Sequence, residues 1–138
     1  MKNYFLFLLT IPMFFGCSPS NFNNQNPYIP NYTFTIDINM DLPSYSNLQY
    51  VSNAIYYAGQ GVRGIIIFNA GGSNYNAFDA ACPNQALGAC STMTIKGINA
   101  VCPCDGKEYS LFTGQGSLQY PLKQYRVEVN GNMLRVYN

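Results

Sequence analysis

Five cysteines and no histidine set the chemistry open to this 138-residue chain. Cys17 stands apart near the N-terminus. The other four fall within residues 82–104, and two motifs carry three of them: Phe78-Asp79-Ala80-Ala81-Cys82-Pro83-Asn84 and Cys102-Pro103-Cys104-Asp105-Gly106. Clustered thiols can hold a metal or pair with one another. A four-thiolate zinc site from Cys82, Cys90, Cys102 and Cys104 would be strongly signalled by paired Cys-x-x-Cys knuckles, but here there is only a Cys-x-Cys and an eight-residue step. As disulfides, four cysteines allow three pairings, and bonding Cys102 to Cys104 is strained because one intervening residue rarely permits the geometry. Hydrolytic catalysis has little to work with: there is no histidine base, no paired-carboxylate motif and no Gly-x-Ser-x-Gly elbow. Asp105 before Gly106 reads equally as ordinary turn chemistry.

The N-terminus says where such cysteines would reside. Met1-Lys2-Asn3 is followed by an apolar run from Tyr4 to Phe15 and then Gly16-Cys17, a basic start and a core of secretory-signal length. A transmembrane helix would need about 20 apolar residues. A small residue directly before Cys17 resembles the bacterial lipobox, whose cysteine is acylated and becomes residue one of the mature chain. The reading is therefore a lipoprotein signal peptide over 1–16, a lipidated Cys17 with a flexible tether over 17–31, and one domain over 32–138. Cleavage would leave four cysteines, an even number suited to an oxidising compartment. The tether, Ser18 to Asn31, is dominated by Asn, Pro and Ser, with no apolar period. No acidic cluster follows Cys17, which favours an anchored position facing the periplasm. The membrane is thus an expected partner, through the lipid.

Composition bounds the rest. About 100 residues make one domain with a modest core. Charged residues are 9% of the chain, and loss of Lys2 leaves six bases against six acids, so nothing points to nucleic acid. Hydrophobic residues are 48%, a folding composition. From Tyr32 to Met40 apolar and polar residues alternate strictly, as in a half-buried strand. Further short strands are expected over Asn53–Tyr57, Ile65–Phe68, Asn74–Phe78, Met93–Ile95, Ala100–Val101, Glu108–Leu111, Tyr125–Val129 and Met133–Tyr137. Asn130-Gly131-Asn132 signals a tight hairpin between the last two. No window after the leader has helical period with a cap, so the class is all-β, and the many tyrosines are packing residues.

The cysteine motifs and their surroundings resemble the Rieske [2Fe-2S] domain family. Cys102-Pro103-Cys104-Asp105-Gly106-Lys107-Glu108-Tyr109 is similar to that family's Cys-Pro-Cys-His-Gly-Ser-x-Phe. The approach from Gly61-Val62-Arg63-Gly64 to Cys82-Pro83 and the closing hairpin match as well. The resemblance implies three antiparallel sheets, with the two motif loops packed as a small subdomain at one end. In the family each loop cysteine binds one iron, which maps to Cys82 and Cys102, and each loop histidine binds the other, which maps to Asn84 and Asp105. An amide is a feeble iron ligand and a carboxylate a hard one. The segment Gly114 to Pro121 also lacks the Gly-Pro-Ala triplet that covers the family's cluster. By the same resemblance, Cys82 and Cys102 lie close enough to bridge once no metal separates them, and Cys90 pairs with Cys104, although Cys90 follows Asn84 by six residues where the family has three. The implied protein is a cluster-free, disulfide-stapled envelope lipoprotein, not an enzyme, serving as a structural or binding module. The alternatives are an electron carrier with a nonstandard 2Fe-2S cluster held by Cys82, Cys102, Asp105 and either Cys90 or Asn84, and the four-thiolate zinc site.

Overall fold

A computed structural model describes residues 22–138. The expected signal peptide and Cys17 lie outside them. The described chain contains nine strands and one short 3-10 turn, Ser46–Gln49, and no α-helix. The strands are β1 (Thr35–Asn39), β2 (Ala54–Tyr57), β3 (Ile65–Gly71), β4 (Asn74–Asp79), β5 (Thr94–Lys96), β6 (Asn99–Val101), β7 (Glu108–Ser110), β8 (Gln124–Asn130) and β9 (Met133–Tyr137). Every pairing is antiparallel.

One sheet runs β1-β9-β8-β4-β3-β2 and the other β5-β6-β7. The larger is two three-stranded halves joined by only two residue pairs, Ala77↔Tyr125 and Phe78↔Gln124. Counted by halves, the domain has three three-stranded sheets. The alternation read from Tyr32 holds from Phe34 onward: Phe34, Ile36, Ile38 and Met40 are buried, while Tyr32 is exposed. The β8–β9 hairpin closes at the pair Asn130↔Met133, leaving Gly131 and Asn132 at the turn.

The uninterrupted apolar run Ile65-Ile66-Ile67-Phe68 is explained by two cores, one on each side of β3. Ile65 and Ile67 join Phe34, Ile36, Ile38, Leu134 and Val136 on one face. Ile66 and Phe68 join Phe78, Cys82, Ala100, Cys102, Tyr109, Leu111 and Leu122 on the other. A strand covered on both faces needs no polar alternation. The second core is where β5-β6-β7 and the two motif loops cover the larger sheet.

Between the cores sits a wholly buried carboxylate, Asp79, at the end of β4. It accepts hydrogen bonds from the backbone N–H groups of Val62 (2.6 Å), Arg63 (3.2 Å) and Ala81 (2.8 Å) and from the Tyr125 hydroxyl (2.6 Å). Four donors replace the water that burial removes. Gly61 makes the approach possible. Its φ is +79°, and a Cβ there would lie 2.8 Å from the Gly64 carbonyl oxygen and 2.9 Å from Asp79 Oδ2. The motif that leads into the first loop is thereby fixed to the turn before β3 and to β8.

The tether reading needs correction over Phe22–Asn31. There the chain lies on the domain: Ile29 is buried, and Lys123, itself buried, donates from Nζ to the Asn24 carbonyl (2.7 Å) and to Asn31 Oδ1. Asn24 Nδ2 donates to the Gln124 carbonyl (2.8 Å) and to Asn138 Oδ1 (2.7 Å), and the Gln124 N–H donates to the Asn23 carbonyl (2.6 Å). A polar, proline-rich composition hid this because the segment docks through amides, not through an apolar period.

Burial, then the neighbouring Asp79 charge and the hydrogen bond to it, push the Tyr125 phenol far above its ordinary value of 10.0. Folding therefore keeps the proton on Tyr125, while the unfolded chain releases it above about pH 10. Its contribution to stability is complete below pH 10 and is lost as the pH rises further. Denaturant titrations should show stability falling above pH 10, with a shallower fall in Tyr125→Phe. The variant should also lose about 1–2 kcal/mol at neutral pH by removing one donor from a buried charge. An unchanged alkaline slope would show that Tyr125 is not the group responsible.

Candidate functional site

The two motif loops meet in the second core. Cys82 follows β4; its N–H donates to the Ser91 carbonyl (2.8 Å), and the bridge Ala81↔Thr92 holds the two ends of the first loop together. Cys102 follows β6. Its N–H donates to the Lys107 carbonyl (2.9 Å) and its carbonyl accepts from Gly106 (2.8 Å), making the second loop a tight turn before β7. Both cysteines are buried.

Cys82 is bonded to Cys102, with Cα atoms 5.5 Å apart, and Cys90 to Cys104, with Cα atoms 5.2 Å apart. This is the pairing that the resemblance implies. The longer step from Asn84 to Cys90 is taken up by an exposed excursion over residues 86–89, which returns through the Gly88 N–H to Ser91 Oγ (2.7 Å) and is pinned by Arg63 Nη2 on the Gly88 carbonyl (3.0 Å). Closing loops of 20 and 14 residues, each bond contributes roughly 3 kcal/mol on the chain-entropy account.

Asn84 is a clamp. Its Nδ2 donates to the Tyr109 hydroxyl (2.9 Å) and to the Tyr120 carbonyl (2.7 Å), and its Oδ1 accepts from the Tyr120 N–H (2.8 Å). Both amide protons and the carbonyl are thus engaged within the protein. Burial raises the Tyr109 phenol above its usual range, with the Asn84 hydrogen bond acting the other way and the Asp105 charge adding a smaller upward push. Asp105 is exposed, and its Oδ1 accepts from the Lys107 N–H (2.9 Å), the turn role read from Asp105-Gly106.

The segment from Phe112 to Pro121 covers the loops without the Gly-Pro-Ala triplet. It is held by Gly114 N–H to Ser110 O (2.7 Å), Ser110 N–H to Gln115 O (2.9 Å) and Leu122 N–H to Gly114 O (2.8 Å). Gly116 lies against the Tyr109 ring, where a Cβ would come within 2.5 Å of the ring carbons. The N-terminal segment reaches the same place: Asn26 Nδ2 donates to the Pro83 carbonyl (2.8 Å), and Tyr28 packs edge-on against Tyr120 at 6.0 Å. Sequence reasoning missed Asn26, Tyr28, Tyr109 and Tyr120 as parts of the site. Their partners are 25 to 92 residues away, and although Tyr109 ends the second motif, nothing local marks what it or the others bind.

The residues do not fit a two-iron cluster of the family's type. Of the four positions equivalent to its ligands, two are bonded to each other, the Asn84 amide is held by Tyr109 and Tyr120 through both protons and its oxygen, and Asp105 faces solvent in a turn. Three sulfurs do converge, those of Cys82, Cys102 and Cys104, which lie within 4.8 Å of one another.

An all-β domain, three three-stranded sheets and two stapled loops at one end reproduce the architecture expected from the motifs. The domain is Rieske-like in fold. Similar solved structures include the oxygenase–ferredoxin complex of carbazole 1,9a-dioxygenase, at 18% identity over 76% of this chain and 92% of that one, with a TM-score of 0.49. The plasma membrane Rieske protein of the cyanobacterium Synechocystis matches at 22% identity over 60% and 84%, with a TM-score of 0.48. The E. coli protein NirD matches at 16% over 78% and 98%, also with 0.48. No family model and no curated protein matches the chain. At these identities and TM-scores the likeness carries no function across; the Rieske-like reading stands on the chain's own loops and sheets.

Replacing Asn84 by Ala leaves the Tyr120 N–H and carbonyl and the Tyr109 hydroxyl without their partner. Asn84→Ala should destabilise the domain by about 2 kcal/mol and remove the hydrogen-exchange protection of the Tyr120 amide. Retained protection at that amide would show that the clamp is dispensable.

Proposed function

We propose that the chain is an envelope lipoprotein whose Rieske-like domain carries no cluster and serves as a binding or structural module, with disulfides doing the joining that a metal does in the family. The observation that carries this reading is the Asn84 side chain, whose donors and acceptor are all committed to Tyr109 and Tyr120. A residue recruited to hold the cover segment is not available to hold iron. The Cys82–Cys102 bond points the same way, because its sulfurs are the ones that would have to ligate.

Placement in the envelope rests on the sequence. Gly16-Cys17 after a short apolar run, and an even number of cysteines beyond it, suit export, acylation and an oxidising compartment. The packed segment from Phe22 to Asn31 would then leave few residues between the lipid and the domain. That holds the module nearer the bilayer than a fully flexible tether would.

The purified mature protein, with Cys17 acylated, should be colourless, without stoichiometric iron or zinc, and should show no free thiol until denatured and reduced. Reddish-brown absorbance with about two irons per chain would instead establish the electron carrier, and about one zinc with four reactive thiols the four-thiolate site. For the anchor, a bacterial host expressing the wild type should yield the protein in its membrane fraction, and Cys17→Ala should move it to the soluble fraction. Equal partitioning of the two would remove the lipoprotein reading.

A further inference from the structure

The two disulfides differ in exposure and share a neighbourhood. Cys82 and Cys102 are buried, Cys104 is half-buried and Cys90 is exposed. Cys104 Sγ lies within 4.8 Å of both buried sulfurs while bonded to Cys90. One sulfur therefore belongs to the solvent-facing disulfide and borders the interior one.

From this arrangement we infer that the four cysteines form a thiol–disulfide relay, in which a small thiol or dithiol reduces the outer bond and Cys104 passes the exchange to the buried Cys82–Cys102 staple. The inference rests on the disulfide-stapled reading above. Exchange proceeds by attack of a thiolate on a disulfide sulfur, and access decides which sulfur is met first. The external thiolate meets Cys90. A bond forms between it and Cys90 Sγ, the Cys90–Cys104 bond breaks, and the electron pair leaves on Cys104 Sγ. The Cys104 thiolate attacks Cys82 Sγ; the Cys82–Cys104 bond forms, the Cys82–Cys102 bond breaks, and Cys102 departs as a thiolate that takes up a proton. Attack on Cys102 is disfavoured because a bond between Cys104 and Cys102 would span a single residue. A second external thiol resolves the mixed disulfide at Cys90. In sum, two thiols become one disulfide, and the protein gains two electrons and two protons, at Cys90 and Cys102.

The consequence is that the interior staple opens without any reductant entering the core. Cys102 anchors the second loop, and Cys82 the first. Moving the bond from Cys102 to Cys104 shifts the tie between loops toward the surface while keeping them joined.

The test uses the oxidised full-length protein carrying Cys17→Ala, so that only the four domain cysteines are present, first assayed for metal and free thiols. Limiting dithiothreitol, acid quenching, N-ethylmaleimide and peptide mapping should place label on Cys90 in every reduced molecule, with the second label divided between Cys104 and Cys102. Cys90→Ser, which leaves Cys104 unpaired, should contain the Cys82–Cys104 bond before any reductant is added. Cys104→Ser should open the buried Cys82–Cys102 bond at least ~10-fold more slowly than the wild type, since the attacking sulfur is gone. Label confined to Cys90 and Cys104, an intact Cys82–Cys102 bond in Cys90→Ser, or unchanged kinetics in Cys104→Ser would each overturn the relay and leave the stapled reading standing. Free thiols with bound iron or zinc at the outset would overturn both.

Discussion

Two loop tips have to be held together inside a core, and the Cys82–Cys102 bond is what holds them. Both cysteines sit among Ile66, Phe68, Phe78, Ala100, Tyr109, Leu111 and Leu122. The small sheet β5-β6-β7 has only three-residue strands, and β5 is exposed throughout, so its own pairing could not secure it. Covalent closure through the core fixes the loops against each other, and the second disulfide does the same at the rim. Asn84 then ties the first loop to the cover segment and to Tyr109. The site is thus an integrated scaffold in which Cys82, Cys102 and Asn84 serve as joints.

That scaffold depends in turn on the junction around Asp79. A buried carboxylate is costly unless its oxygens are satisfied, and here satisfaction comes from three separate places: the turn before β3, the start of the first loop, and Tyr125 in β8. The same region carries the only two residue pairs that join the halves of the larger sheet. Lys123 lies beside it, lowered by burial and raised by the Asp79 charge, and spends its ammonium on Asn24 and Asn31 instead of on a carboxylate. The polar groups of this interior therefore set how sheet, loop and N-terminal segment meet. Among the described residues no buried side-chain polar atom is left without a partner.

The N-terminal segment changes how the domain would be presented. Asn26 and Tyr28 bring it against the first loop and the cover segment, while Asn23 and Asn24 bind Gln124 and Asn138 and Phe22 lies under Arg126 of β8, so the segment runs between the loop end and the larger sheet.

Much of the fold was legible one residue at a time. Alternation predicts β1, the β-branched run predicts β3, and the turn chemistry of Asn130-Gly131-Asn132 predicts the closing hairpin, because period and turn preference are local properties of the chain. The cysteine motifs, through their resemblance, implied the architecture and the partners in each disulfide. Tertiary structure alone decided the rest. That β3 serves two cores, that Asn84 is consumed by Tyr109 and Tyr120, that Lys123 draws an asparagine-rich segment onto the surface, and that Cys104 borders the buried sulfurs are all contacts between distant residues. No local pattern encodes them, since a hydrogen-bonding or thiol side chain has the same sequence signature whether its partner is water, metal or protein; only the folded geometry chooses.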